Sequence, residues 1–235
     1  MKQEMILAVN SSKLATLIRE CCDNSFAYRP IDVIQSDKLI HSLSPYLWLG
    51  PREVLETEIS FRQIIPYVIV MDKDDNILTY QRSKSQGDKR LNNLYSIGFG
   101  GHINLCDVNS TANSSSKLFD FRSILANAMR RELSEELNLP IGDVNKDQLS
   151  PLGYIFLGHQ YGNTEDIDVN VVHFGLIYIW KTDSITIPTT NDDDLRNFQL
   201  VPMKDIRSKF DVFGNDNLEI WSTVAMELLE KSNVI

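Results

Sequence analysis

The rhythm of apolar and polar positions changes several times along this chain of 235 residues. An apolar run at Met5 to Val9 reads as a short strand, and the segment from Lys13 to Cys22 reads as a helix. The stretch "LIHSLSPYLWLGPREVLETE" that follows has no clear period, so residues 1–62 read as an N-terminal extension packed on a main domain at 63–235. From Gln63 the pattern becomes that of strands: "QIIPYVIVM", the turn "DKDDN" and "ILTYQRS" together predict a hairpin. A polar loop, "KSQGDKR", leads to "LYSIGFGGHI", read as strand, glycine turn and strand. Next comes "NLCDVNSTANSSSK", Asn104 to Lys117, whose near absence of apolar residues predicts a mobile surface insertion at about 108–119.

Helical periodicity resumes at Asp120, a candidate N-cap, with Ile124, Leu125, Ala128, Met129, Leu133 and Leu137 as the apolar stripe. Beyond Pro140, "LGYIFLG" and "VNVVHFGLIYIW" read as strands, "PTTNDDDLRN" as an acidic loop and "FQLVP" as a short strand. The chain closes with "LEIWSTVAMELLEK", an amphipathic helix. Strands and helices mix without regular βαβ alternation, which favours an α+β architecture over a doubly wound sheet.

Composition narrows the function classes. An apolar fraction of 43% is ordinary for a packed core, and a net charge of -9 argues against a nucleic-acid polymer as partner. A small anionic substrate would then need local cations. Arg82, Lys84, Lys89 and Arg90 surround a loop near the glycine turn and read equally as phosphate contacts or as a solvated loop. The cysteines, Cys21, Cys22 and Cys106, are odd in number and lack metal-site spacing, so a reducing cytoplasm is expected rather than a disulfide framework. The first apolar run is too short and too interrupted for a signal peptide or a membrane span, so a soluble protein is expected, with homodimer formation left open.

The densest chemistry lies in "AMRRELSEELNLP", Ala128 to Pro140. Glu132, Glu135 and Glu136 share one helix face, where like charges repel by a few tenths of a kcal/mol per pair. Asn138 and the following Leu139-Pro140 stop the helix, so the acids sit near its C-terminal end, where the helix dipole favours cations. A positive charge is expected there.

These residues carry a family resemblance. "GGH" at Gly100 to His102 and the helix "RELSEELNL" from Arg131 to Leu139 resemble the Nudix box, G-x5-E-x7-R-E-U-x-E-E-x-G-U with U aliphatic. Arg131, Glu132, Leu133, Glu135, Glu136 and Leu139 match, and Asn138 replaces the late glycine, a mild change at a left-handed cap. Counting five residues on from Gly101 reaches Asp107, where the family has Glu, and 23 residues then separate it from Arg131 instead of 7. That register implies a 16-residue insertion; counting back from Arg131 instead puts Ser123 at the Glu position. The insertion register keeps turn and helix intact. The segments "RQIIPYVIV", "SIGFGGHI" and "VVHFGLIY" are similar to a bacterial branch of MutT-type phosphoesterases, and the resemblance spans roughly Gln63 to Glu230.

The resemblance implies the Nudix fold, a mixed β-sheet sandwiched by helices, and a Mg²⁺-dependent hydrolase, with Mn²⁺ as the other candidate ion. Gly100 would offer its carbonyl, Glu135 and Glu136 would ligate metal, and Glu132 would bind metal or orient water. Arg131 would hold the glutamates by salt bridges. The substrate class implied is a small phosphorylated molecule with a diphosphate linkage, such as a nucleoside diphosphate derivative. The competing reading is a Nudix-fold binding or regulatory module without hydrolysis, which the Asp107 or Ser123 departure would permit. For the water-activating base the choice lies between the "NDDDL" loop, with Asp193 at its centre, and Glu132. His159 and His173 fit core or edge positions better than ligand roles, and Tyr161 and Trp180 fit core packing better than base stacking.

Overall fold

The computed structural model of the chain describes residues 3–22, 27–83, 92–109, 120–138, 148–158, 169–183, 185–188, 195–212 and 215–232. The N-terminal part forms β1 (Met5–Asn10), α1 (Ser11–Cys22), β2 (Tyr28–Pro30), α2 (Val33–Leu43), β3 (Leu47–Pro51) and α3 (Arg52–Leu55). Then come β4 (Phe61–Asp72), β5 (Asn76–Arg82), β6 (Tyr95–Ser96), β7 (Gly98–Phe99), α4 (Leu105–Asn109) and α5 (Phe121–Leu137). The remainder holds β8 (Leu149–Ile155), β9 (His173–Thr182), β10 (Leu195–Pro202), α6 (Ile206–Phe210), β11 (Asp211–Val212), β12 (Asn215–Asp216) and α7 (Ile220–Lys231).

β4 is the axis of the fold. Its one edge pairs in parallel with β9, from Gln63 opposite His173 to Asp72 opposite Thr182. Its other edge is shared in sequence by β1 at Ala8–Gln63, by β7 at Val68–Phe99 and by β5 at Met71–Ile77, all antiparallel. The principal strand order is β10-β5-β4-β9-β8-β2, a mixed open sheet. Ile64, Val68 and Val70 face a core closed by α1, α2 and α5, while Tyr67, Ile69 and Met71 face a second core closed by α7. Cover on both faces explains why β4 reads as an almost unbroken apolar run rather than an alternating one. Within residues 1–62, β1 pairs with both β3 and β4 and so joins the main sheet.

α5 obeys its local signals. The Asp120 side chain accepts the Ser123 N–H at the N-cap, Asn138 closes the helix in the left-handed region at φ 52°, and the whole predicted stripe is buried. The segment at Asn104–Asn109 departs from the expectation. Its polarity predicts the start of a loop, yet it makes a β-bridge from Asn104 to Ile6 and then the helix α4, in which Asp107 is buried. The rest of the expected insertion, 110–119, lies outside the described residues, as do Tyr161 and His159. Trp180 is a core residue whose indole N–H donates to Gln148 Oε1 at 3.4 Å. Cys21 and Cys22 are buried, Cys106 is exposed, and none of the three forms a disulfide. No helix among the described residues is long and apolar enough to cross a membrane.

Candidate active site

Between its pairings with β1 and β7, β4 leaves a short stretch of one edge open, and Pro66, which has no N–H to satisfy there, occupies it. The turn Gly100–His102 approaches this opening. A Cβ on Gly100 would lie 1.9 Å from the Pro66 carbonyl oxygen, and one on Gly101 would lie 2.6 Å from Glu132 Oε1. Both glycines are therefore required by close approach: the first of backbone to backbone, the second of backbone to a box glutamate.

Arg131 organises the acids. Its Nε and Nη2 donate to Asp107 Oδ1 and Oδ2, both at 2.9 Å, a bidentate pair with a carboxylate that is only 3% exposed. Nη1 donates to Glu132 Oε1 at 2.8 Å and to Glu135 Oε2 at 3.1 Å, and Nη2 also donates to the His102 carbonyl at 2.9 Å. α4 exists to present Asp107, whose Oδ2 also accepts the Asn104 N–H at 2.9 Å. The structure thus gives Arg131 to Asp107, while Ser123 sits in the first turn of α5 and donates its hydroxyl to Asp120.

The three glutamates have different surroundings. Glu135 is largely exposed beyond its contact with Arg131. Burial raises the Glu132 carboxyl above its ordinary range, against the pull of Arg131. Glu136 accepts the Gly100 N–H, but its Oε2 is buried with no hydrogen-bond partner. Burial, reinforced by the like charge of Glu132 and opposed by Arg82, raises Glu136 to about 8. A buried carboxylate oxygen without a partner, close enough to Glu132 to feel its charge, is what a hard divalent cation would satisfy. The donor set fits the metal that the resemblance implies, although among the described residues no three His, Cys, Asp or Glu side chains form a cage by themselves.

Two clusters flank this centre that the sequence reading did not assemble. His102 Nε2 lies 2.6 Å from Gln63 Oε1 and 3.3 Å from His173 Nε2, joining the turn to β4 and β9. Burial first, then the nearby His173, Arg52 and Arg131, lowers His102 to about 2, so the ring is neutral. On the other flank Arg82 is not simply a loop residue: its Nε donates to Glu219 Oε2 at 2.9 Å. Glu219 is buried, and its Oε1 accepts Ser96 Oγ at 2.6 Å and the Tyr67 hydroxyl at 3.2 Å. In the sequence Glu219 was one more polar position of the terminal amphipathic helix; the available signal was its place just before the first helical turn, where acids are favoured. Asp193, Lys84, Lys89 and Arg90 lie outside the described residues.

No protein-family model matches the chain. Protein YmaB of Bacillus subtilis (strain 168) is 26% identical over 175 residues, 74% of this chain and 74% of its own length. Among solved structures, Tm1382, a candidate Nudix hydrolase, is similar with a TM-score of 0.67 at 21% identity, covering 96% of this chain and 98% of that one. A Nudix hydrolase from Alicyclobacillus acidocaldarius is similar with a TM-score of 0.52 at 12% identity, covering 74% and 92%.

Proposed function

We propose, on the premise that this chain has the Nudix fold, that it is a divalent-metal-dependent hydrolase cleaving a diphosphate linkage in a nucleoside diphosphate derivative or similar small molecule. One observation carries the reading. A single guanidinium, clamped by buried Asp107, holds Glu132 and Glu135, while Glu136 keeps a buried, unpartnered oxygen beside the Gly100 turn. Gly100, Glu132, Glu135 and Glu136 are the residues that would hold Mg²⁺ or Mn²⁺. A bound ion of this kind polarises a phosphoryl oxygen and makes water a nucleophile near neutral pH.

The chain's own residues set the stage. Arg131 fixes the geometry of two acids that would otherwise repel each other. His102, neutral and tied to Gln63 and His173, anchors the glycine turn to the sheet, and its carbonyl anchors Arg131. The proton of the attacking water goes to Asp193 or to Glu132, both acids within the segments the resemblance implicates. The net charge of -9 disfavours polymeric nucleic acid as a partner, and a cytoplasmic location agrees with cysteines that form no disulfide.

The test is a panel of nucleoside diphosphate sugars, dinucleoside polyphosphates, NADH and nucleoside triphosphates, incubated with and without Mg²⁺ or Mn²⁺. Metal-dependent release of phosphate-containing products is expected. Tight binding of a panel member with no turnover would replace the hydrolase with a binding module.

A further inference from the structure

Hydrogen-bond counting separates the two arginines near the glutamates. A guanidinium has five N–H donors. Arg131 uses all five, on Asp107 twice, on Glu132, on Glu135 and on the His102 carbonyl. It has none left for a substrate. Arg82 uses one, its Nε on Glu219, and its Nη1 and Nη2 have no partner among the described residues. Its side chain is 32% exposed, and its guanidinium lies over the Tyr80 ring at 5.7 Å.

The position of that fork is well determined. Arg82 ends β5, its N–H donating to the Leu94 carbonyl at 2.9 Å and its carbonyl accepting the Asn93 N–H at 3.1 Å. Glu219, which grips Nε, is itself held by Ser96 and Tyr67, and Tyr67 is tied to Ser222 at 2.9 Å. The same group borders the metal-type centre: Tyr80 Oη donates to the Gly98 carbonyl at 3.2 Å, and Ser96 Oγ, whose proton goes to Glu219, lies 3.0 Å from that carbonyl, two residues before Gly100. Arg82 is also close enough to Glu136 for its charge to act on that carboxyl. An acidic centre repels a diphosphate, and a planar guanidinium with a free pair of N–H groups matches phosphate oxygens bidentately.

We propose that Arg82 is the cationic contact for a phosphate group of the substrate, and that Glu219 is a positioning residue that aims it. This rests on the hydrolase reading for the word substrate, but the anion site stands on its own measurement. The probe is inorganic pyrophosphate with Mg²⁺, titrated calorimetrically into the full chain and into R82K, R82Q, E219Q and R82Q/E219Q. The double variant removes both charges, which covers the case in which R82Q leaves Glu219 buried and unpaired and fails to fold.

Loss of a charged, bidentate contact corresponds to about 10- to 100-fold in affinity. That loss is expected in R82Q/E219Q, and in R82Q if it folds. A smaller loss is expected in E219Q, and adding E219Q to R82Q should bring no further loss, because Glu219 acts only through Arg82. R82K, which keeps the charge but not the fork, should raise KM more than it lowers kcat for any panel substrate. Wild-type affinity in R82Q/E219Q, or no pyrophosphate binding by the unaltered chain, overturns the site; full additivity of the two variants overturns the positioning role. Pyrophosphate bound through Arg82 by a chain that hydrolyses nothing refutes the hydrolase reading alone.

Discussion

Replacing Glu136 by Gln removes a carboxylate whose charge the metal-free fold does not compensate. Glu136 is raised to about 8 from an ordinary 4.5, chiefly by burial. At about 1.4 kcal/mol per tenfold in proton affinity, that gap caps the penalty at about 5 kcal/mol above pH 8. Rearrangement and water entry reduce the cap, and about 1–3 kcal/mol is the expected size. Because the folded value lies above the ordinary one, stability is fully present below pH 4.5 and falls as pH rises toward about 8. The amide has the same shape, can still accept the Gly100 N–H and does not titrate. E136Q should therefore melt close to the unaltered chain at pH 5, and above it at pH 8 in EDTA, by about 2–4 °C per kcal/mol for a chain of this length. Adding Mg²⁺ should reverse the order at pH 8, since binding to the native state stabilises only the chain that keeps its carboxylate. Thermal unfolding at both pH values, with EDTA and with Mg²⁺, reads all of this. An E136Q protein that melts below the unaltered chain in EDTA at pH 8, or a difference independent of pH, would refute the reasoning.

Three further outcomes follow from the same geometry. Asp107→Asn breaks a buried bidentate ion pair and should cost about 3–5 kcal/mol in urea unfolding together with most turnover, whereas a loss below about 1 kcal/mol would mean that Arg131 is held by other contacts. Gly100→Ala drives a Cβ into the rigid Pro66 carbonyl and should destabilise the fold severely, while Gly101→Ala meets only the flexible end of Glu132 and should fold but bind Mg²⁺ more weakly; equal melting temperatures for the two would contradict this. Asp→Asn changes at 192, 193 and 194, set against Glu132→Gln, should identify the base by which of them abolishes the acidic limb of the pH-rate profile; if the three loop variants keep that limb, the base lies on α5.

How much was legible beforehand differs from element to element. α5 could be read almost completely, because N-cap, stripe and left-handed stop are set by neighbours within four residues, and the order R-E-L-x-E-E lies in the same window. β4 could be recognised as a buried strand for a similar reason. The same local reading put Asn104–Asn109 in a loop, because its polarity gives no hint that Asp107 will fold back onto Arg131, 24 residues on, and that this contact will stabilise a short helix. It also could not pair Arg82 with Glu219, 137 residues apart, or bring Gln63, His102 and His173 together. Periodicity and capping are short-range and repeat along the chain, so the sequence alone determined the box helix and the acids it carries. Ion pairs and hydrogen bonds between distant segments depend on which strands become neighbours. Only the tertiary packing, which sets Asp107 and His102 against Arg131 and Glu219 against Arg82, decided which arginine has all five donors engaged and which has two nitrogens without a partner among the described residues.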